Sequence, residues 1–249
     1  MAWQIKDRFC SYIEPLERLP DAIWDDDFIR FEQDWTTVPK LVSEASGVVL
    51  ELGPGLGNQL RRFDKTSVTR IIGVESNAHF SPDIQRQIQE QGLDHIYELL
   101  MCGVEDGSAL ERHGIVADSL DTVLSIQVLC SVPDPEATVK ELYRLLKPGG
   151  KLIFWEHHRN SDWLTAAVQC KPDTKHSAAH REGKVTDGIA DVWNPIWKSL
   201  IGGCNMTRSM RAIVATAGEW ENLDSIEGDE LPSSMLPRVW GVLVKPKQT

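Results

Sequence analysis

The sequence predicts an α/β fold in which a mostly parallel sheet carries helices on both faces. Short apolar runs rich in β-branched residues alternate with helical stretches between residues 47 and 155, which is typical of repeated strand–helix–strand units. A glycine-rich turn directly follows the first of these strands. Such turns occur in sheets that bind a ligand at the carboxyl ends of their strands.

The individual elements follow from the same pattern. Parallel strands are expected at 48–52, 71–74, 97–101, 121–125 and 151–155, and an antiparallel closing strand at 238–244. Pro82 at a first helical position predicts a helix that ends at Gln91. Asp134 begins a second helix, which the Pro148–Gly150 stretch should stop. A third helix is expected over 206–217.

One domain is expected over residues 1–249, because the segments that flank the strand-rich region have little apolar core of their own. Within it we distinguish an N-terminal helical arm (1–45), a cofactor-binding core (46–155), a lid insertion on the acceptor side (156–205), and a C-terminal helix with closing strands (206–249).

Composition excludes several classes of partner. A net charge of −11 over 249 residues repels nucleic-acid phosphates and anionic membrane surfaces. The sequence has no apolar run of 18 residues and no signal-peptide pattern at its start. The five cysteines are scattered and form no CxxC pair, so we expect reduced thiols, no disulfide framework and no metal site. We therefore expect a cytoplasmic monomer or homodimer with no nucleic-acid or membrane partner.

The glycine-rich turn is the sharpest motif. A dinucleotide-binding turn needs GxGxxG, but the third glycine would fall at Asn58. The glycines instead alternate, and an acid stands two residues before the first one, where it would repel a pyrophosphate and suit an ammonium group. This spacing favours S-adenosylmethionine over a dinucleotide, and a turn without a ligand would not need three glycines. The residues expected to bind are Glu51, Gly53, Pro54, Gly55, Gly57 and Asn58.

Three further strand ends should complete the cofactor site. Glu75 follows the second strand, 24 positions after Glu51, where a carboxylate can accept both ribose hydroxyls; the alternative is a solvated loop glutamate. Ser76 and Asn77 would line the same edge. After the third strand, Val104 and Glu105 are expected at the adenine, with Asp106 as the alternative acid. After the fourth strand, the sulfonium should lie against Gln127 and Val128.

The second half of the chain resembles one family. The segments 128–132, 141–150, 154–157, 193–197 and 203–208 are similar to the mammalian methyltransferase-like alkyl-thiol methyltransferases, over roughly residues 46–215. This resemblance implies a Rossmann-like class I methyltransferase fold with a seven-stranded sheet and an α-helical lid. It also implies that S-adenosylmethionine is converted to S-adenosylhomocysteine as a small-molecule acceptor is methylated.

The departures from that family fall on the acceptor side. No counterpart of the family's apolar N-terminal anchor is expected in residues 1–45, and Gly202 and Ser209 stand where the resemblance implies an aspartate and a glutamate. Residues 169–190 form an additional polar insert. The cofactor prediction is unaffected by these differences, but the acceptor need not be the family's own.

Candidate acceptor-side residues follow from the resemblance. His157 and His158 are the candidate general bases, and His157 is preferred because it matches the family's Glu-His pair; structural packing is the alternative for His157. The acceptor pocket is expected to include aromatic and sulfur side chains, which could instead simply pack over the sheet: Tyr12, Trp155, Trp193, Trp197 and Cys204.

The sequence leaves three functions open. The first is in-line transfer of a methyl group to the thiol of a metabolite or natural product, since a thiol needs little help from a base. The second is O- or N-methylation of a secondary metabolite. The third is a regulatory binder or cyclase that holds the cofactor without transferring methyl. A dehydrogenase is disfavoured by Asn58.

Overall fold

A seven-stranded sheet organises the chain in a computed structural model that describes residues 29–159, 204–229 and 237–247. The strand order is β3-β2-β1-β4-β5-β7-β6. The first five strands are parallel, and β7 runs antiparallel to both of its neighbours. The strands are β1 (Gly47–Leu52), β2 (Val68–Val74), β3 (Tyr97–Leu100), β4 (Leu120–Ile126), β5 (Leu146–His157), β6 (Glu227–Gly228) and β7 (Arg238–Val244). The predicted mostly parallel sheet with an antiparallel closing strand is confirmed.

Helices cover both faces of the sheet, as predicted. They are α1 (Val38–Ser43), α2 (Ser81–Glu90), α3 (Gly107–Arg112), α4 (Pro135–Leu145) and α5 (Met210–Ala215), and residues 29–35 are also helical. Short 3-10 helices lie at Leu60–Arg62, Ala78–Phe80 and Leu223–Ser225. The α1 and α2 side chains pack in one apolar core, and those of α4 and α5 pack in a second core on the opposite face.

The strand register brings the carboxyl ends of the central strands to one edge of the sheet. Leu52, the last residue of β1, pairs with Val74 at the end of β2 and with Ser125 near the end of β4. The chain leaves β1 and β4 in opposite directions along the sheet, so a crevice opens between their loops. Ligands of doubly wound sheets bind at such a point.

Two predicted boundaries are wrong, for physical reasons. Pro148–Gly150 does not stop α4, because the helix already ends at Leu145. The next residue, Leu146, begins β5 and pairs with Leu120. A register shift in β4, together with the positive φ of Gly149 (+82°), accommodates the irregularity. The C-terminal helix begins only at Met210, because the described residues before it form a loop that is hydrogen-bonded to the loop after β4 through Asn205 N–H and Cys130 O.

Residues 1–28 of the predicted arm and residues 160–203 of the predicted lid lie outside the described residues. Within the described ranges, no helix combines the length and apolar character that crossing a membrane requires.

A buried ion pair fastens the helical segment 29–35 to the chain that follows the glycine-rich turn. Glu32 accepts a hydrogen bond from Arg62 at 2.5 Å and is fully buried. Gln59 donates to both Glu32 carboxylate oxygens, at 3.2 and 3.1 Å, and accepts from Arg62 at 2.6 Å. These bonds replace the water that the two charged groups lose on folding.

Glu32→Ala should lower the free energy of unfolding by about 3 kcal/mol, because it leaves the Arg62 guanidinium buried without its carboxylate. Urea denaturation measures the loss. The matched control is Glu90→Ala, which removes an exposed partner of Arg86 at 3.8 Å and should cost less than about 1 kcal/mol. Equal losses in the two variants would contradict a structural role for the Glu32 pair.

Candidate functional site

A cavity opens at the carboxyl ends of β1, β2 and β4. It contains about 540 Å³ of space not filled by protein atoms, part of it open to solvent. Its described lining is Leu52, Gly53, Val74, Glu75, Ser76, Cys102, Gly103, Val104, Glu105, Val128, Ser131, Val132 and Pro133. The sequence-predicted residues on this wall are Gly53, Glu75, Ser76, Val104, Glu105 and Val128. Ser131, Val132 and Pro133 also line the cavity, and they were not among the site residues expected from the sequence, although residues 128–132 carried part of the family resemblance.

The glycine-rich turn has a backbone that other residues rarely adopt. Gly53, Gly55 and Gly57 have φ values of +52°, +58° and +80°, in the left-handed region that glycine enters without steric cost. A Cβ atom on Gly53 would lie only 2.9 Å from a methyl carbon of Val128. The turn therefore approaches the loop after β4 closely, and it does so because residue 53 has no side chain.

Glu75 is fixed between this turn and the cavity. Its buried carboxylate accepts hydrogen bonds from the backbone N–H of Gly55 at 3.1 Å and of Asn77 at 2.8 Å, one on each oxygen. A carboxylate oxygen can accept two hydrogen bonds, so a ligand diol could still bind here. The Asn77 side chain caps the 3-10 helix Ala78–Phe80 by accepting from His79 N–H, and Asn77 is absent from the described lining.

Glu51 lies beneath the turn rather than on the cavity wall. Its carboxylate is 2% exposed and accepts a hydrogen bond from the Tyr97 hydroxyl at 2.6 Å. Among the described residues, the other oxygen has no hydrogen-bond partner. Burial raises the pKa of Glu51 to about 7, with the Tyr97 hydrogen bond opposing and the Glu75 charge reinforcing the shift. A contact between Glu51 and a ligand ammonium group stays a prediction.

The rest of the predicted turn is placed similarly. Pro54, Gly55, Gly57 and Asn58 belong to the same loop but are not part of the described cavity lining. Gln127 is also absent from it. This residue has a φ of +61° and donates its backbone N–H to Trp155 O at 2.8 Å, which sets the direction of the loop after β4. Contacts of these residues with a ligand stay predictions.

The loop after β4 is built around one buried carboxylate. Glu156, at the end of β5, is 0% exposed. It accepts hydrogen bonds from Ser125 Oγ at 2.7 Å and from the backbone N–H groups of Val128, Leu129 and Cys130 at 3.0, 3.0 and 3.1 Å. Burial raises the pKa of Glu156, and these four hydrogen bonds hold the rise down. Glu156 therefore positions one wall of the cavity without lining it.

Arg208 holds the same loop from its carbonyl side. Its guanidinium donates to the backbone oxygens of Leu129, Cys130, Val132 and Pro133 at 2.7–3.3 Å. The Asn205 backbone N–H also donates to Cys130 O at 2.9 Å. Asn205 and Arg208, which belong to the 203–208 stretch that carried the family resemblance, thus support the cavity wall.

His157 lies behind this wall rather than in it. The imidazole is 2% exposed, and its Nδ1 atom lies 3.5 Å from Cys204 Sγ and 3.7 Å from Cys130 Sγ. Neither His157 nor Cys204 is part of the described cavity lining. The structure therefore places both residues in a packed cluster. Packing was the alternative to a general-base role for His157 and to a pocket-lining role for Cys204.

Of the predicted acceptor-pocket aromatics, only one is described. Trp155 is buried in the core, where the Arg238 guanidinium lies 4.8 Å from its ring centroid, and it does not line the cavity. Tyr12, Trp193 and Trp197 lie outside the described residues.

Comparisons with known proteins agree with this geometry. Residues 50–154 match the model of a methyltransferase domain. The chain is 27% identical over 201 residues to the human thiol S-methyltransferase TMT1B, covering 80% of this chain and 67% of that protein. It is 25% identical over 198 residues to human TMT1A, covering 79% and 70%. The chain thus spans about two thirds of the length of these relatives.

A solved structure shows the same fold. An O-methyltransferase family protein from Burkholderia thailandensis superposes with a TM-score of 0.59 at 15% identity, covering all of this chain and 65% of the other.

Glu156→Gln should loosen the loop after β4, because an amide has one acceptor oxygen where the carboxylate has two, and it cannot accept from both the Oε1 donors and the Cys130 N–H that donates to Oε2. We expect faster hydrogen exchange at the amides of Val128, Leu129 and Cys130, and a free energy of unfolding lower by about 1–3 kcal/mol. Hydrogen exchange with mass spectrometry measures the first effect. Glu141→Gln, on the exposed face of α4, is the matched control. Unchanged protection of these amides in Glu156→Gln would refute the anchoring role.

Glu51 should make stability depend on pH. Its pKa is about 7 in the folded chain against an ordinary 4.5, so its contribution to stability is fully present below pH 4.5 and is lost as the pH rises through 7. Glu51→Gln replaces the carboxyl group by an amide, which does not ionise in this pH range. The free energy of unfolding of the variant relative to wild type should therefore rise by about 2 kcal/mol between pH 5.5 and 8. Urea denaturation at both pH values tests this.

Tyr97→Phe provides the second arm, because it removes the hydrogen bond that lowers the Glu51 pKa. The pH range over which stability is lost should move upward in this variant. If wild type and Glu51→Gln show the same pH dependence, burial does not perturb the Glu51 carboxyl in the way stated.

Proposed function

Because the chain is a class I S-adenosylmethionine-dependent methyltransferase, we propose that it methylates the thiol of a small molecule. The observation that carries this proposal is the likeness to two human thiol S-methyltransferases over about four-fifths of the chain. This likeness supports a thiol as the class of acceptor and not a particular compound. The proposed acceptor is therefore the thiol of a metabolite or natural product.

The cavity fits the cofactor. Glu75 offers a fixed carboxylate to the ribose hydroxyls, beside a turn whose residue 53 cannot carry a Cβ. In the proposal, residues 51–58 would hold the methionine part, with Glu51 facing its ammonium group, and Val104 and Glu105 would hold the adenine. Gln127 and Val128 would contact the sulfonium end. When bound, the cofactor supplies a methyl carbon that is activated by its positive sulfur.

The protein's own contribution is positioning. A methyl transfer needs the acceptor atom about 3 Å from the methyl carbon and in line with the leaving sulfur. The loop held by Glu156 and Arg208 forms the wall against which both partners are aligned. A wall fixed from two sides needs little rearrangement when the two reactants bind.

The chemistry of the described wall suits a thiol. Its ionisable residues are Glu75, Cys102 and Glu105, and none of the described lining residues is a histidine or a lysine. A thiol with a pKa of about 8.5 is already a few per cent thiolate at neutral pH. A thiol acceptor therefore does not require His157 as a base, whereas a hydroxyl acceptor would need a base.

Product analysis tests the proposal. The protein is incubated with S-adenosylmethionine and a panel of thiols, phenols, amines and carboxylic acids, and products are identified by mass spectrometry. We expect one added methyl on thiols only, with an equal amount of S-adenosylhomocysteine. The rate should rise with pH toward the pKa of each thiol, because the thiolate is the nucleophile.

Matched variants make the readout specific. Glu75→Ala should weaken cofactor affinity at least tenfold by calorimetry, since a bidentate hydrogen-bond acceptor is worth more than about 1.4 kcal/mol. Glu111→Ala, an exposed glutamate on α3, should bind and react like wild type. A methylated oxygen or nitrogen would replace the thiol proposal. Tight cofactor binding with no S-adenosylhomocysteine from any acceptor would favour a binder that does not transfer methyl.

A further inference from the structure

Three buried side chains from distant parts of the sequence meet behind the cavity wall. Cys130 follows β4, His157 ends β5, and Cys204 lies in the loop before α5. The two Sγ atoms lie 3.4 Å apart, and His157 Nδ1 lies 3.7 and 3.5 Å from them. We propose that Cys130, His157 and Cys204 together bind a zinc ion through two thiolates and Nδ1.

The triangle of ligand atoms has the dimensions of a tetrahedral zinc site. Zinc–sulfur bonds of about 2.3 Å and a zinc–nitrogen bond of about 2.0 Å imply sulfur–sulfur and sulfur–nitrogen separations of about 3.8 and 3.5 Å. The structure has 3.4 Å for the first separation, and 3.5 and 3.7 Å for the second. An ion therefore enters with ligand shifts of only a few tenths of an ångström.

Among the described residues, the buried His157 imidazole has no strong hydrogen-bond partner that would account for its burial. Its Nδ1 faces only two sulfur atoms, which are weak hydrogen-bond partners, and its Nε2 is buried with no partner there. Burying an imidazole in this way costs free energy. A zinc–nitrogen bond at Nδ1 would offset the part of that cost that comes from Nδ1, and it would fix the ring's tautomer with the proton on Nε2.

The backbone around Cys130 holds that ligand in place before any ion arrives. The N–H of Cys130 donates to Glu156 at 3.1 Å, and its carbonyl oxygen accepts from Asn205 N–H and Arg208, both at 2.9 Å. The same bonds tie Cys130 to the segment that carries Cys204. A preorganised ligand set reduces the ordering cost of binding a metal.

The charges balance in a buried site. Zinc binding releases the two thiol protons to solvent, and the two resulting thiolates neutralise the ion's double positive charge. Cys₂His supplies three protein ligands, and a water or a further ligand takes the fourth position. The ion would cross-link the loop after β4, the end of β5 and the 204–208 segment.

Metal analysis of the full chain tests the site. We expect about one zinc per chain after purification or after addition of zinc followed by desalting. Cys204→Ser and Cys130→Ser should each retain less than about a tenth of that amount, because one thiolate is lost. Cys102→Ser is the matched control, since its thiol lies outside the cluster, and its zinc content should equal that of wild type. Circular dichroism checks that each variant is folded.

Cobalt substitution in the unaltered protein keeps the test independent of variant folding. Cobalt in a Cys₂His site should give thiolate-to-cobalt charge transfer and the visible absorption of a tetrahedral ion, and added zinc should remove both. Failure of the wild-type chain to take up zinc or cobalt would overturn the proposal. So would zinc that persists in the folded Cys204→Ser and Cys130→Ser variants, or cobalt without thiolate charge transfer.

Discussion

The cavity depends on the buried carboxylate of Glu156. A carboxylate at the end of an interior strand would be costly on its own, because burial strips away its water. Here the cost is offset by four donors, one serine hydroxyl and three consecutive backbone N–H groups. Those three N–H groups belong to a loop that would otherwise lack partners for them. The carboxylate and the loop therefore stabilise each other, and the loop has one conformation as a result.

Arg208 completes this arrangement from a segment far along the chain. It donates to carbonyl oxygens of the same loop, so the N–H side of the loop faces an anion and the carbonyl side faces a cation. The left-handed backbone of Gln127 is tolerated because its neighbours on both sides are fixed in this way. The same two anchors set the positions of the pocket wall and of the Cys130 thiol behind it.

The opposite wall rests on a second set of acids. Glu75 ties the glycine-rich turn to the end of β2, while Glu51 is buried one layer deeper against Tyr97. The proximity of the two carboxylates contributes to the raised pKa of Glu51. A cationic ligand would favour the ionised form of both carboxyl groups, which is consistent with S-adenosylmethionine as the cofactor. The two acids at this site are part of the acidic excess that gives the chain a net charge of −11.

The sequence by itself determined the sheet, its helices and the position of the cofactor turn. These features are local: β-branched runs, alternating glycines and an acid after the second strand are readable in windows of a few residues, and the fold they predicted is confirmed. Tertiary structure decided what depends on distant partners. Glu51 is buried because Tyr97 packs against it, and His157 is buried because Cys130 and Cys204 pack against it, so neither lines the cavity. The spacing of these residues in the sequence does not predict those contacts. The Cys130–His157–Cys204 cluster is invisible in sequence for the same reason, since 27 and 47 residues separate its members and only the strand order brings them together.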